Sequence, residues 1–320
     1  MSLRFISFPS RHDVFRDWQT LDEAWQKHCE STRERWIFRG HSDARYPIES
    51  TLERSIWSFS ELQDKLPPKP KDCRHWDAYQ KLVDKERQRS LAVGLTRHFK
   101  HSRRRHIKPP ELEVGLMRRF QRQYHHFYSD VPQSKLEWLA LMRHYGTPTR
   151  LVDWTWSFVV ALFFAINDTQ KACTIWALNL DAIDRALLPK TRSIIRNDPN
   201  LTKPETFSKL FGSNTTGVVS VSPLRLNQRL VAQQGTFVNP QNINRPFEDN
   251  LAATLERKRE RALLKFTISG ERWVRRDLLQ RLQRINISNA TLFPGLDGFA
   301  RSLEQLFAFP DVIVRPTGRR

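Results

Sequence analysis

Up to Glu30, apolar residues recur at three- and four-residue steps. Val14, Trp18, Leu21 and Trp25 fall on one side of a helix, and the spacing predicts an amphipathic one. The pattern then contracts to RWIFRG, residues 35 to 40, which predicts a short strand ending on glycine. Residues 47 to 57 read as a loop and a helix start, and LPPKPKD (66 to 72) as a proline-rich surface loop. A long helix is predicted from Glu111 to about Tyr128. It carries Leu112, Leu116, Met117, Phe120, Tyr124 and Phe127 on one face, with Arg118, Arg119 and Arg122 elsewhere on its surface. A second helix, Lys135 to Arg143, places Leu136, Leu139, Ala140 and Arg143 on successive turns.

Past Gly146 the periodicity alternates between two and about 3.6. Strands are predicted at Thr149–Asp153, Cys173–Leu178, Val218–Val221, Thr236–Val238 and Leu263–Ile268. Ser157–Ala165 is apolar on every side, so it predicts a buried helix. A charged helix is predicted at Asn250–Arg261, and further helices at Arg272–Arg284 and from Gly298 to about Leu306. The mixture is α+β. No repeat and no clean linker divides it, so residues 1 to 320 read as one elaborated domain, with a helical segment over 1 to 34.

Charge changes this picture more than composition does. Apolar residues make up 39% of the 320, enough for a substantial core, yet 53 Lys and Arg against 34 Asp and Glu leave a formal charge of +19. Such an excess attracts polyanions: RNA, DNA or an anionic membrane. Membrane is the weaker candidate. The longest apolar run, Phe158 to Ile166, is too short to span a bilayer, and no signal-peptide core or lipidation motif is visible. Three isolated cysteines fit a reducing compartment, so a cytoplasmic location is expected. The ten histidines lack CxxC, HxxxH or HExxH spacing, and no metal is expected.

The densest basic run is RHFKHSRRRHIK, residues 97 to 108. Its Arg97, Lys100, Arg103, Arg104, Arg105 and Lys108 suit a phosphate backbone, as do Arg257, Lys258, Arg259 and Arg261. Interleaved Tyr, Phe and His favour a single strand, and RNA is the expected partner. The bland alternative for each cluster is a solvated helix face.

Three segments set polar residues in apolar surroundings. In Trp36-Ile-Phe-Arg39-Gly40-His41, an arginine at the end of an apolar strand is costly to bury unless its fork meets an anion. That anion is either a ligand or a structural carboxylate. The stretch from Arg143 to Thr155 gathers His144, Arg150, Asp153, Trp154 and Thr155. Arg150 and Asp153 form an internal salt bridge, or present a fork and an acceptor to a cofactor with Trp154 as a stacking surface. In the third, Asn227 to Phe237, Gln233 and Gln234 before Gly235 suit a polar ligand or cap a turn.

Together these segments resemble the FRG-domain family, named for Phe-Arg-Gly, here Phe38-Arg39-Gly40. The likeness continues through His144-Tyr145-Gly146, Pro148-Thr149-Arg150-Leu151-Val152-Asp153-Trp154-Thr155 and Ala161-Leu162-Phe163-Phe164-Ala165. It returns at Arg229 and Gln233-Gln234-Gly235-Thr236-Phe237, closes at Thr291 to Gly298, and spans about residues 35 to 305. The resemblance implies an ADP-ribosyltransferase-like fold: a split β-sheet cleft with inserted and flanking helices. It also implies NAD as substrate, in bacterial toxin or phage-defence modules. By that likeness Arg39, Asp153 and Gln233 are the expected catalytic residues. Arg39, Gly40, His144, Arg150, Trp154, Thr155, Arg229 and Gln234 are the expected NAD contacts. The better-known transferases carry a Glu in their last motif, whereas this chain has Arg229 and glutamines there. Asp153 or Glu49 then replaces it, a Gln suffices, or catalysis is lost. The expected activity is ADP-ribosylation of nucleic acid, RNA in particular, with a neutralising antitoxin protein as a possible partner. The alternatives are a non-catalytic ligand-sensing or nucleic-acid-binding module and a protein-modifying transferase.

Overall fold

A computed structural model describes residues 5–8, 14–56, 58, 108–212, 214–256 and 262–305. Among the described residues, seven strands form one mixed sheet: β1 Ile6–Phe8, β2 Trp36–His41, β3 Val152–Thr155, β4 Cys173–Asn179, β5 Val218–Val221, β6 Gly235–Pro240 and β7 Leu263–Ile268. Their order is β1-β7-β4-β2-β3-β6-β5. The β1–β7 pair is parallel and every other pair antiparallel. Among the described residues, no helix is long and apolar enough to cross a membrane.

Alternation along the strands splits the apolar residues into two clusters, one on each face. Ile37, Trp176 and Leu178 belong to one, together with α3 (Lys135–His144) and α9 (Phe247–Glu256). Phe38, Ile175 and Phe266 belong to the other, with Leu21 of α1 (Trp18–His28), α4 (Phe158–Ile166) and α10 (Arg272–Arg284). Helix α4 is apolar all round and buried except at half-buried Val159 and Phe164, and the Ser157 side chain caps its start by accepting from the Val160 amide. The glycine next to the end of β2 has a packing reason. A Cβ on Gly40 would stand 2.1 Å from the Ala161 carbonyl oxygen and 2.6 Å from the Ala165 nitrogen, so α4 rests directly on the strand backbone.

Several expected boundaries move. Strand β3 starts three residues later than Thr149. The Thr149 amide donates to Thr51 Oγ1 and the Arg150 amide to Glu113 Oε1, so this backbone is already engaged before the ladder begins. Helix α2 (Pro109–Tyr124) ends before Phe127, which is 74% exposed rather than on the packed face. Strand β1 and five short helices were not foreseen: α5 Leu180–Ala186, α6 Pro189–Asn197, α7 Pro204–Phe211, α8 Gln228–Ala232 and α11 Asn289–Leu292. The last helix, α12, covers Leu296–Gln305. The loop at 66 to 72, the basic run short of Lys108, and Arg257, Lys258, Arg259 and Arg261 lie outside the described residues.

The 48–53 segment is clasped to α9 by carboxylates. Glu53 accepts from the Phe247 amide at 3.1 Å, and Glu248 accepts from the Ile48 amide at 3.0 Å. Burial, opposed by these bonds, pushes the Glu53 carboxyl up to about 8 and raises Glu248 as well. An acid raised in the folded state binds more protons there than in the unfolded chain. Its stabilisation is therefore present below the unfolded value of 4.5 and is lost as pH rises to 8. Glu53→Gln should flatten the fall in melting temperature across that window. Parallel profiles for the two proteins, measured by thermal unfolding from pH 4.5 to 8, would refute the shift.

Candidate active site

Strands β2 and β3 meet at a single pair, Phe38 with Thr155, although β2 pairs along its full length with β4. Beyond Phe38 the two strands separate, and the Arg39 side chain fills the gap. Its Nη1 donates to the Asp153 carbonyl at 2.6 Å and its Nε to His41 Nε2 at 2.8 Å. A cavity of about 440 Å³ opens at this junction. That volume lies in the range of small-molecule sites.

The cavity is cationic. Arg39, Arg54, Arg143 and Arg229 line it, and Asp153 is the one carboxylate among its described lining residues. The Asp153 carboxylate is committed to Arg143: Oδ2 accepts from Nε at 2.9 Å and from Nη2 at 2.6 Å. Arg39 Nη1 stands 4.0 Å from that same oxygen, with its side chain only 13% exposed. Burial pulls the Arg39 guanidinium down to about 10. Asp153 opposes the shift, while Arg143 and Arg54 deepen it. At neutral pH it is charged, buried and only partly compensated. His41 is driven well below its ordinary value by burial and by Arg39. It is therefore neutral, its Nε2 accepting from Arg39 while Nδ1 faces the Tyr46 carbonyl at 3.3 Å. Arg229 stacks over the Phe293 ring at 4.5 Å, and burial lowers it too.

Of the residues expected from sequence, Arg39, Gly40, His144, Asp153, Trp154, Thr155, Arg229 and Gln233 all line this cavity. Gln233 spends its amide nitrogen on the Leu292 carbonyl, which leaves Oε1 without a partner among the described residues. Thr155 Oγ1 donates to the Gln233 carbonyl and accepts from the Ser157 amide, so it ties β3 to the turn before β6. His144 Nδ1 and Trp154 Nε1 are buried without a hydrogen-bond partner among the described residues.

Arg150 and Gln234, expected among the cofactor contacts, do not line the cavity. The Arg150 guanidinium is paired with Glu113 of α2, where the two side chains are 4% and 1% exposed, and it lies over the Phe207 and Phe211 rings. The salt bridge considered between Arg150 and Asp153 is replaced by two others, Arg150–Glu113 and Arg143–Asp153. Gln234 serves the turn at φ 47°, its carbonyl accepting from the Trp156 amide. Glu49 is bound to Arg54 at 2.9 Å and reaches the cavity only through it. Sequence reasoning missed Arg54, Arg143 and His41 as lining residues. Arg143 and His41 adjoin the quoted motifs, whereas Arg54 has no local signal. Lys108, the one described member of the basic run, is 68% exposed and paired with Glu111.

Among comparisons with known proteins, the family model described as FRG domain matches residues 34–173. The matched residues include Arg39, Asp153 and α4 but not the segment around Arg229 and Gln233. No curated protein and no solved structure matches the chain.

Proposed function

From the premise that the chain carries an FRG domain across residues 34–173, we propose that it is an NAD-dependent ADP-ribosyltransferase. In this reading it is a toxin or defence effector that modifies nucleic acid, RNA in particular. The observation that carries the reading is the charge of the cavity: four arginines line it with one carboxylate. Such a site suits a ligand that brings its own negative charge, as the NAD pyrophosphate does. The junction where β2 leaves β3 supports an ADP-ribosyltransferase-like cleft in a split sheet.

NAD is the substrate, and the residues present fit it. Arg39 and Arg229 would neutralise the pyrophosphate. Asp153 Oδ1, without a partner among the described residues, and Gln233 Oε1 would be preorganised acceptors facing the positive charge that develops on the ribose as nicotinamide leaves with the bonding pair. Arg143 would hold Asp153 in place. The target supplies the nucleophile, which bonds to the ribose carbon and gives its proton to solvent. Asp153 fits this ribose role better than Glu49, because Asp153 lines the cavity and Glu49 does not.

Arg39→Met tests the reading. NAD should raise the melting temperature of the parent protein, since a ligand bound only to the folded state stabilises by about 2.7 kcal/mol at 100 times its Kd. The variant should melt no lower than the parent without NAD, because an under-compensated buried charge has been removed. It should lose both the NAD shift and toxicity in cells. A folded variant that keeps both overturns the assignment, and one that fails to fold makes Arg39 a structural residue. A non-catalytic sensor is the competing reading, favoured by the absence of any acid between Asn227 and Phe237. It predicts the NAD shift without transfer of label from NAD to RNA.

A further inference from the structure

A second concavity, of about 1010 Å³, lies beside the first, and Phe164 lines both. Phe293 meets Phe164 edge-on at 6.0 Å and carries Arg229 over its ring. One aromatic pair therefore separates the cationic cavity from a larger groove between α10, the C-terminal end of α4 and α12.

The groove holds an unusual combination. Trp273 of α10 is 58% exposed, and its indole N–H donates to Glu271, which fixes the ring's orientation. Arg272, Arg276 and Arg301 line the groove and are exposed. None of the three has a carboxylate partner among the described residues. Arg275 shows what a committed arginine looks like here: its guanidinium donates to the Ile166 and Asn167 carbonyls at the end of α4. Asp168 and Glu304 also line the groove, so the cations remain in excess.

We propose that this groove binds single-stranded nucleic acid, with a base stacked on Trp273 and phosphates held by Arg272, Arg276 and Arg301. The proposal rests on the transferase reading for its purpose, since a strand seated here lies next to the cavity. The binding chemistry stands on the groove alone. An exposed indole needs an unpaired base to stack on, and a duplex keeps its base faces covered. A concave wall does not match a flat membrane. Unpaired guanidiniums spaced along it match a chain of phosphates.

The test measures the affinity of labelled oligo(U), oligo(dT) and a blunt duplex across a salt series, with the NAD thermal shift recorded on the same proteins. Trp273 is on the surface, so Trp273→Ala should melt as the parent does. It should weaken single-strand binding about 5- to 150-fold, the loss of one stacked base, with little change for the duplex. Trp273→Phe should restore most of the affinity. Replacing Arg272 and Arg276 by Gln should lower the log–log salt slope by about 1.4, at about 0.7 per phosphate. Parent-like oligonucleotide binding by folded Trp273→Ala overturns the proposal, as does an equal loss for strand and duplex, or a parent protein that binds an acidic protein and no oligonucleotide. The two readings fail separately. Strand binding that depends on Trp273 without any NAD shift upholds the groove and removes the transferase. An NAD shift without that dependence removes the groove alone.

Discussion

Glu113→Leu should cost about 3–5 kcal/mol of unfolding free energy, because it leaves the Arg150 guanidinium charged and buried with no partner. The pair is nearly inaccessible. Nε of Arg150 donates to both Glu113 oxygens at 2.9 Å, and Nη2 donates to Oε2 at 2.5 Å. Arg150 Nη1 is already buried without a hydrogen-bond partner among the described residues, which offer no spare acceptor to take over. The double variant Glu113→Leu/Arg150→Met should recover most of the loss, since a buried ion pair replaced by apolar groups of similar volume is often neutral or better. Denaturant unfolding of the two single variants and the double decides this. The double variant should also keep the NAD shift, because Arg150 does not line the cavity. A folded double variant that has lost the shift would return Arg150 to the ligand.

Gly40→Ala should be more damaging than ordinary overpacking, which costs about 1–3 kcal/mol. The methyl would meet the backbone oxygen of Ala161 and the backbone nitrogen of Ala165, and no shortening of a neighbouring side chain relieves that. Helix α4 would have to lift off β2, carrying Phe164 from both concavities. The expected result is an insoluble protein, or one melting far below the parent and without the NAD shift. Gly115→Ala is the control. It lies in α2 with nothing within 4 Å of its would-be Cβ, and should gain about 0.5–1 kcal/mol. Equal behaviour of the two variants would refute the close contact.

What was legible in the sequence had strong periodicity or a motif. β5, β7 and α10 fall on their expected boundaries because each is a clean apolar or amphipathic run between polar breaks. β1 was not legible. Three residues carry no period, and the strand exists only because β7 offers an edge from the far end of the chain. The helices between β4 and β5 escaped although Pro189 and Pro204 stand in the first turns of α6 and α7, a start signal that was readable. At the site, Arg39, Gly40, His144, Asp153, Trp154, Thr155, Arg229 and Gln233 come together around one cavity, whereas Arg150 and Gln234 stand outside it. The ionic partners do not follow from the motifs, because Glu113 for Arg150 and Arg143 for Asp153 depend on how α2 and α3 pack on the sheet. Burial of Glu113 ran against the apolar stripe read on that helix, and one charge deep in a core is invisible until its partner is placed.

The order of the strands bears on how the protein is made. Ile6 pairs with Leu264, so β1 waits for about 260 further residues to be made before its neighbour exists. At typical rates of synthesis that is on the order of tens of seconds. β2, with Arg39 on it, waits for β4, and the cavity waits longer still, for Arg229 and Gln233 to emerge and for Phe293 to receive Arg229. A product stopped short of Arg229 would carry Arg39 and Asp153 with neither the opposite wall nor the aromatic partition. On this topology the cationic cavity comes into being only once the chain has been made as far as Phe293.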